Sequence, residues 1–125
     1  YPGVKGFFPR INRFVKEQSK GQVKIRHYII SSGLKEILRK ISIRKYFANI
    51  FASEYHFDHN GVPKYPKLVI TDTVKTQFLF RINKGKEKIT DNINIHMDEY
   101  DRPIPFSNMV YIGDGLTDVP CVTVT

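Results

Sequence analysis

The chain predicts an α/β fold, a doubly wound parallel sheet, on two observations. Short apolar runs of strand character alternate with stretches of helical period, the pattern of layered α/β structures. Several of the apolar runs also end in small or polar residues just before a helix start. Open α/β sheets gather ligands in that arrangement, beyond the carboxyl ends of their strands.

The elements follow in order. Phe7, Phe8, Ile11, Phe14 and Val15 recur at helical spacing and predict a helix over 7–20 that stops at Gly21. Val23 to Ser31 reads as a strand, Ser31-Ser32-Gly33 as a sharp turn, and Leu34 to Lys40 as a helix with Leu34, Ile37, Leu38 and Ile41 on one face. Tyr46 to Ala52 is a short apolar strand. Asn60-Gly61, between two segments that can be extended, is the strongest turn signal and predicts a type I′ hairpin, a flap over about 52–73. Val74 to Lys84 reads as a helix closed by Gly85. Residues 86–106 are polar and mixed and carry no period. Met109 to Ile112 reads as a short buried strand running into Gly113-Asp114-Gly115.

The bulk numbers narrow the function classes. At 125 residues the chain is one domain's worth, and 41% hydrophobic residues exclude disorder as a whole-chain reading. No apolar run approaches the roughly 20 residues of a membrane span, and the start has no signal-peptide pattern. Cys121 is the one cysteine, so no intrachain disulfide forms, and a cytoplasmic setting fits. Twenty Lys and Arg against twelve Asp and Glu give a formal charge of +8. The basic residues form no dense block, so a solvated basic surface is favoured, then attraction for a small phosphorylated substrate, then a nucleic-acid groove.

Three positions carry chemistry. Ser31 ends an apolar strand and, with Ser32 and Gly33, presents a hydroxyl and backbone N–H groups to an anion; an ordinary helix cap explains the same residues. Lys75 falls at a helix start, where a cation opposes the helix dipole unless an anion lies nearby. Val110 to Asp118 delivers two carboxylates, Asp114 and Asp118, onto a Gly-bounded loop, which suits a hard cation such as Mg²⁺. Other clusters fare worse. His56, Asp58 and His59 fit hairpin-tip polarity, and Asn92, Asn94, His96 and Asp98 lack the Gly and Glu of a calcium loop. Cys121 reads as a small core residue.

Strand–Ser, then Lys at a helix start, then strand–Gly-Asp-Gly-x-Thr-Asp, in that order, resembles the second, third and fourth motifs of the haloacid dehalogenase-like superfamily, in its phosphoserine-phosphatase-like branch. The resemblance covers roughly residues 1–120 and implies a Rossmann-like core and Mg²⁺-dependent phosphatase activity. It also implies roles. Ser31 hydrogen-bonds the transferring phosphoryl group, and Lys75 neutralises its charge. Asp114 binds Mg²⁺ directly, and Asp118 acts on the metal through water or by pairing with Lys75. The family's first motif, which carries the aspartate nucleophile, is missing, and the chain has no aspartate before Ser31. The expectation is therefore a core domain truncated at both ends, inactive alone, from a hydrolase that works through an aspartyl-phosphate. A non-catalytic binding protein of the same fold and a basic nucleic-acid-binding module are the alternatives.

Overall fold

The computed structural model describes residues 2–125. They form an α/β fold of two compact units, one ending at residue 68 and one spanning residues 69–125.

The first unit opens with α1 (Val4–Gln18), three residues earlier than the apolar spacing alone suggests and with Pro9 inside it. The helix ends where expected. Gly21, at φ 80°, lets its N–H reach back to the Lys16 carbonyl at 2.8 Å. Phe8 is the helix's buried residue and packs against the rings of His27, Tyr46 and Phe47. Phe14, expected on the same apolar face, is instead exposed.

Strand β1 (His27–Leu34) starts later and ends later than predicted. Ser31-Ser32-Gly33 is not a turn that ends the strand. Ser31 pairs with Ala52 and Leu34 with Ser53, so Ser32 and Gly33 form an irregularity within β1. Ser31 Oγ accepts the Gly33 N–H at 3.0 Å, and Ser53 Oγ donates to the Ser32 carbonyl at 3.0 Å. These side chains do the pairing that the ladder loses there.

The short helix α2 (Lys35–Leu38) and a 3-10 turn cross to β2 (Phe47–Phe57), which runs parallel to β1. Ile50, Phe51 and Ala52 are all buried; because successive strand residues face opposite sides, β2 is covered on both faces. β3 (Pro63–Leu68) returns antiparallel to β2, giving a mixed three-stranded sheet of order β1-β2-β3 rather than an all-parallel one. Two prolines suit β3 to an edge. Glu54 ties the elements together, accepting from Lys35 at 2.9 Å and Lys67 at 3.3 Å; the Lys35 hydrogen bond foremost holds its carboxyl below the usual range.

The hairpin falls where Asn60-Gly61 places it, but its turn is not type I′. Gly61 alone takes a positive φ, 76°. Asp58 explains this: its carboxylate accepts the N–H groups of Asn60 and Val62 at 2.9 Å each, and the Gly61 N–H donates to the Asp58 carbonyl. A side chain clamps a three-residue loop that the backbone alone would close with two.

In the second unit, α3 (Asp72–Asn83) carries buried Phe78, Leu79 and Ile82 and stops at Gly85, at φ 65°. The unperiodic 86–106 stretch is held by polar side chains from the end of this helix. Arg81 donates to the carbonyls of Lys86, Lys88, Ile89 and Asp91; Lys84 donates to those of Ile93 and Ile95; Asn83 donates to that of Ile104. A 3-10 turn (Leu116–Asp118) runs directly into α4 (Val119–Val124), whose Cys121 is fully buried with Sγ 3.8 Å from Thr76 Oγ1.

The expected strand at Met109–Ile112 is not present. Met109 is extended, yet no backbone hydrogen bond among the described residues ties 110–114 to another segment. Val110 is 89% and Ile112 84% exposed, whereas Tyr111 between them is half-buried. The alternation has the period of a strand, but a strand exists only where a neighbour accepts its hydrogen bonds. Among the described residues no helix is long and apolar enough to cross a membrane.

Candidate active site

Lys75 lies in the first turn of α3, after Thr71 as N-cap, and only 7% of it is exposed. A buried ammonium needs an anion, and Asp118 supplies it from 43 positions along the chain: Lys75 Nζ lies 2.7 Å from Asp118 Oδ1, and Asp118 is itself 9% exposed. Thr117 Oγ1 accepts a second Lys75 N–H at 2.9 Å. The 3-10 turn that leads into α4 thus places two consecutive side chains on one ammonium.

Asp118 gathers more than Lys75. Its Oδ1 also accepts the Tyr111 hydroxyl at 2.7 Å, and its Oδ2 the Gly115 N–H at 3.3 Å. The Lys75 hydrogen bond foremost, then that of Tyr111, holds the Asp118 carboxyl below the usual carboxylate range. Burial foremost, and then the Asp118 carboxylate, pushes the Tyr111 hydroxyl well above the usual phenol range.

Gly113 makes this arrangement possible. A Cβ there would lie 2.5 Å from Asp118 Cβ and 2.6 Å from its Cγ. Any side chain at 113 would occupy the space that Asp118 uses to reach Lys75. Here the glycine is required by close approach, not by an unusual φ.

Asp114, on the same loop, is exposed. Mg²⁺ takes oxygen ligands in near-octahedral geometry, and one or two carboxylates plus waters and substrate phosphate commonly hold it. Asp114, exposed on that loop, fits as one such ligand. Asp118 fits less well as a direct ligand, because two donors already occupy Oδ1. Ser31, Ser32 and Gly33 lie in the first unit; the Ser31 hydroxyl oxygen is engaged by Gly33, while its proton is free to donate.

Tyr111 and Thr117 carry little signal in the sequence. Tyr111 lies within an apolar run, yet a tyrosine flanked by Val and Ile just before Gly-Asp-Gly carries a hydroxyl that needs a partner when buried. Thr117 sits inside the motif, at a position to which the resemblance gives no role. What the assembled group can do chemically is limited and definite: it presents a cation, fixed by a carboxylate and a hydroxyl, against a glycine-bounded loop that also carries the exposed Asp114.

No family model matches the chain, and no solved structure matches it. It is similar to an uncharacterized protein of Borreliella burgdorferi, at 33% identity over 96% of this chain and 46% of that protein, so it spans about half the length of the curated relative it matches.

Proposed function

We propose that this chain is part of a Mg²⁺-dependent phosphohydrolase of the haloacid dehalogenase-like superfamily, built on a Rossmann-like doubly wound core and acting on a small phosphorylated substrate. The observation that carries the reading is the buried Lys75–Asp118 pair at 2.7 Å beside the Gly113-Asp114-Gly115 loop. Lysine and aspartate far apart in sequence, each weakly indicative alone, meet in the order and with the pairing that the resemblance implies. The similarity to a protein about twice as long is compatible with a nucleophile carried elsewhere in a longer chain.

In this reading Lys75 places a fixed positive charge against the phosphoryl oxygens, where charge spreads during transfer. Asp118 holds Lys75 in place. Asp114 would hold Mg²⁺, which when bound neutralises charge on the same oxygens. Ser31 receives its role as a hydrogen-bond donor to the phosphoryl group from the resemblance alone. An aspartate outside these 125 residues would take the phosphoryl group and release it to water.

The test is a phosphate-ester assay on the longer protein containing this chain, with and without EDTA. Mg²⁺-dependent hydrolysis that falls at least 100-fold in both Asp114→Asn and Lys75→Met is expected, in line with the loss of one preorganised charge. Hydrolysis indifferent to both substitutions, or absent with Mg²⁺ across common phosphate esters, would sink the assignment.

A further inference from the structure

We infer that Tyr111 is a positioning residue, whose hydroxyl locks the Asp118 carboxylate so that Lys75 keeps one N–H for a single oxygen of a tetrahedral oxyanion. For the anion's identity this rests on the phosphohydrolase reading; the geometric role of Tyr111 stands apart from it.

Donors and acceptors can be counted. An ammonium has three N–H groups and a carboxylate oxygen two lone pairs. Lys75 gives one N–H to Asp118 Oδ1 and one to Thr117 Oγ1, and one is left. Asp118 Oδ1 accepts from Lys75 and from Tyr111, both at 2.7 Å, and is then full. A carboxylate joined to a lysine alone can swing and exchange its oxygens. Two donors on one oxygen and the Gly115 N–H on the other stop that rotation. With Asp118 fixed, the direction of the third Lys75 N–H is fixed too.

The placement of Tyr111 gives the lock a consequence. Tyr111 points inward between Val110 and Ile112, which face solvent, and Asp114 follows three residues later on the same open stretch. Among the described residues no backbone ladder holds that stretch, and the Tyr111 hydroxyl ties it to the buried pair. The tyrosine therefore anchors the backbone that presents Asp114 as well as the carboxylate that presents Lys75.

The experiment compares wild type, Tyr111→Phe and Lys75→Met in the 125-residue chain. Carboxyl-carbon NMR follows the titration of Asp118, and inorganic phosphate is titrated into each protein. Tyr111→Phe should raise the Asp118 midpoint and weaken phosphate binding about tenfold, with the far-UV circular dichroism unchanged; Lys75→Met should abolish binding. An Asp118 midpoint that does not move in Tyr111→Phe overturns the positioning role whether or not phosphate binds. A raised midpoint in a chain that binds no phosphate supports the positioning role and counts against the phosphohydrolase reading. If Tyr111→Phe does not fold, Asp118→Asn gives the reciprocal measurement by ultraviolet titration. The Tyr111 midpoint should fall part of the way towards the usual phenol range, because burial, the larger cause, remains, and an unchanged midpoint overturns the role.

Discussion

Helix α3 buries a cation at each end, and the two are stabilised differently. Near its start Lys75, 7% exposed, meets a carboxylate and a hydroxyl from a distant turn. Near its end Arg81, 4% exposed, meets four backbone carbonyls of the segment that follows. The guanidinium fork suits carbonyls arrayed around it, and the loop is thereby wrapped onto the helix. Its partners are neutral, do not titrate and come from nearby in the chain. Lys75 has a titratable partner, a remaining N–H and an exposed carboxylate on the adjoining loop. Burial of a positive charge therefore does not distinguish scaffold from site; the chemistry of its partners does.

The comparison breaks most directly by deleting each cation. Lys75→Ala leaves Asp118 buried without its counter-charge, and removing one partner of such a pair costs about 3–5 kcal/mol. Urea unfolding should show a loss of that size. The double variant Lys75→Met with Asp118→Leu should recover much of it, because the stranded charge is gone. If the single and double variants are equally unstable, the pair contributes packing and not charge balance.

Arg81→Lys keeps the charge but removes the fork, and should cost about 1–3 kcal/mol through carbonyls left unpaired. Amide exchange should accelerate across residues 86–91 while the Asp118 titration stays where it was. A shift in the Asp118 titration would mean that the two ends of α3 are coupled.

Gly113→Ala tests the site end alone. Its Cβ would stand 2.5 Å from Asp118 Cβ, so the backbone or the aspartate must move, at about 1–3 kcal/mol. The Asp118 midpoint should rise as its contact with Lys75 loosens. Stability at low pH sharpens the same point. Because the folded-state pKa of Asp118 is depressed, its contribution is present above the unfolded-state value, near 4, and disappears as pH falls through the lower folded-state value. Wild type should lose stability in that acid window and Asp118→Asn should lose less; parallel curves would remove Asp118 as the cause.

How far these features could be read from the sequence depends on the kind of interaction behind each. Gly21 and Gly85 marked helix ends because a left-handed residue is a local requirement, visible in one letter. Lys75 and Asp118 stand out in the sequence only through the order of residue types in the resemblance, and no local signal says that they touch. The Asn60-Gly61 hairpin was located correctly and its turn type missed, since Asp58 acts through a side chain that turn statistics do not include. Residues 86–106 were illegible for a deeper reason: side chains of Arg81, Asn83 and Lys84 bond to backbone carbonyls, and such bonds impose no period on the segment they hold. Met109–Ile112 has the composition of a buried strand, but composition cannot show whether a neighbouring strand is there to pair with it.

The smallest expected change belongs to the residue proposed to matter most for the metal. Asp114 is exposed, so Asp114→Asn should alter stability by no more than about 0.5 kcal/mol, the usual range for surface positions. In Lys75→Ala, by contrast, charge removal and fold stability are tied together. At Asp114 they are separable, and that separation makes it the cleaner probe of the proposed activity, since a loss there could not be attributed to unfolding. Mg²⁺ titration of the 125-residue chain, followed by the amide resonances of Gly113 and Gly115, supplies a readout independent of turnover. Those resonances should move in wild type and stay still in Asp114→Asn at equal thermal stability. Equal movement in both proteins would place the metal elsewhere and leave Asp114 as an ordinary surface aspartate on a glycine-bounded loop.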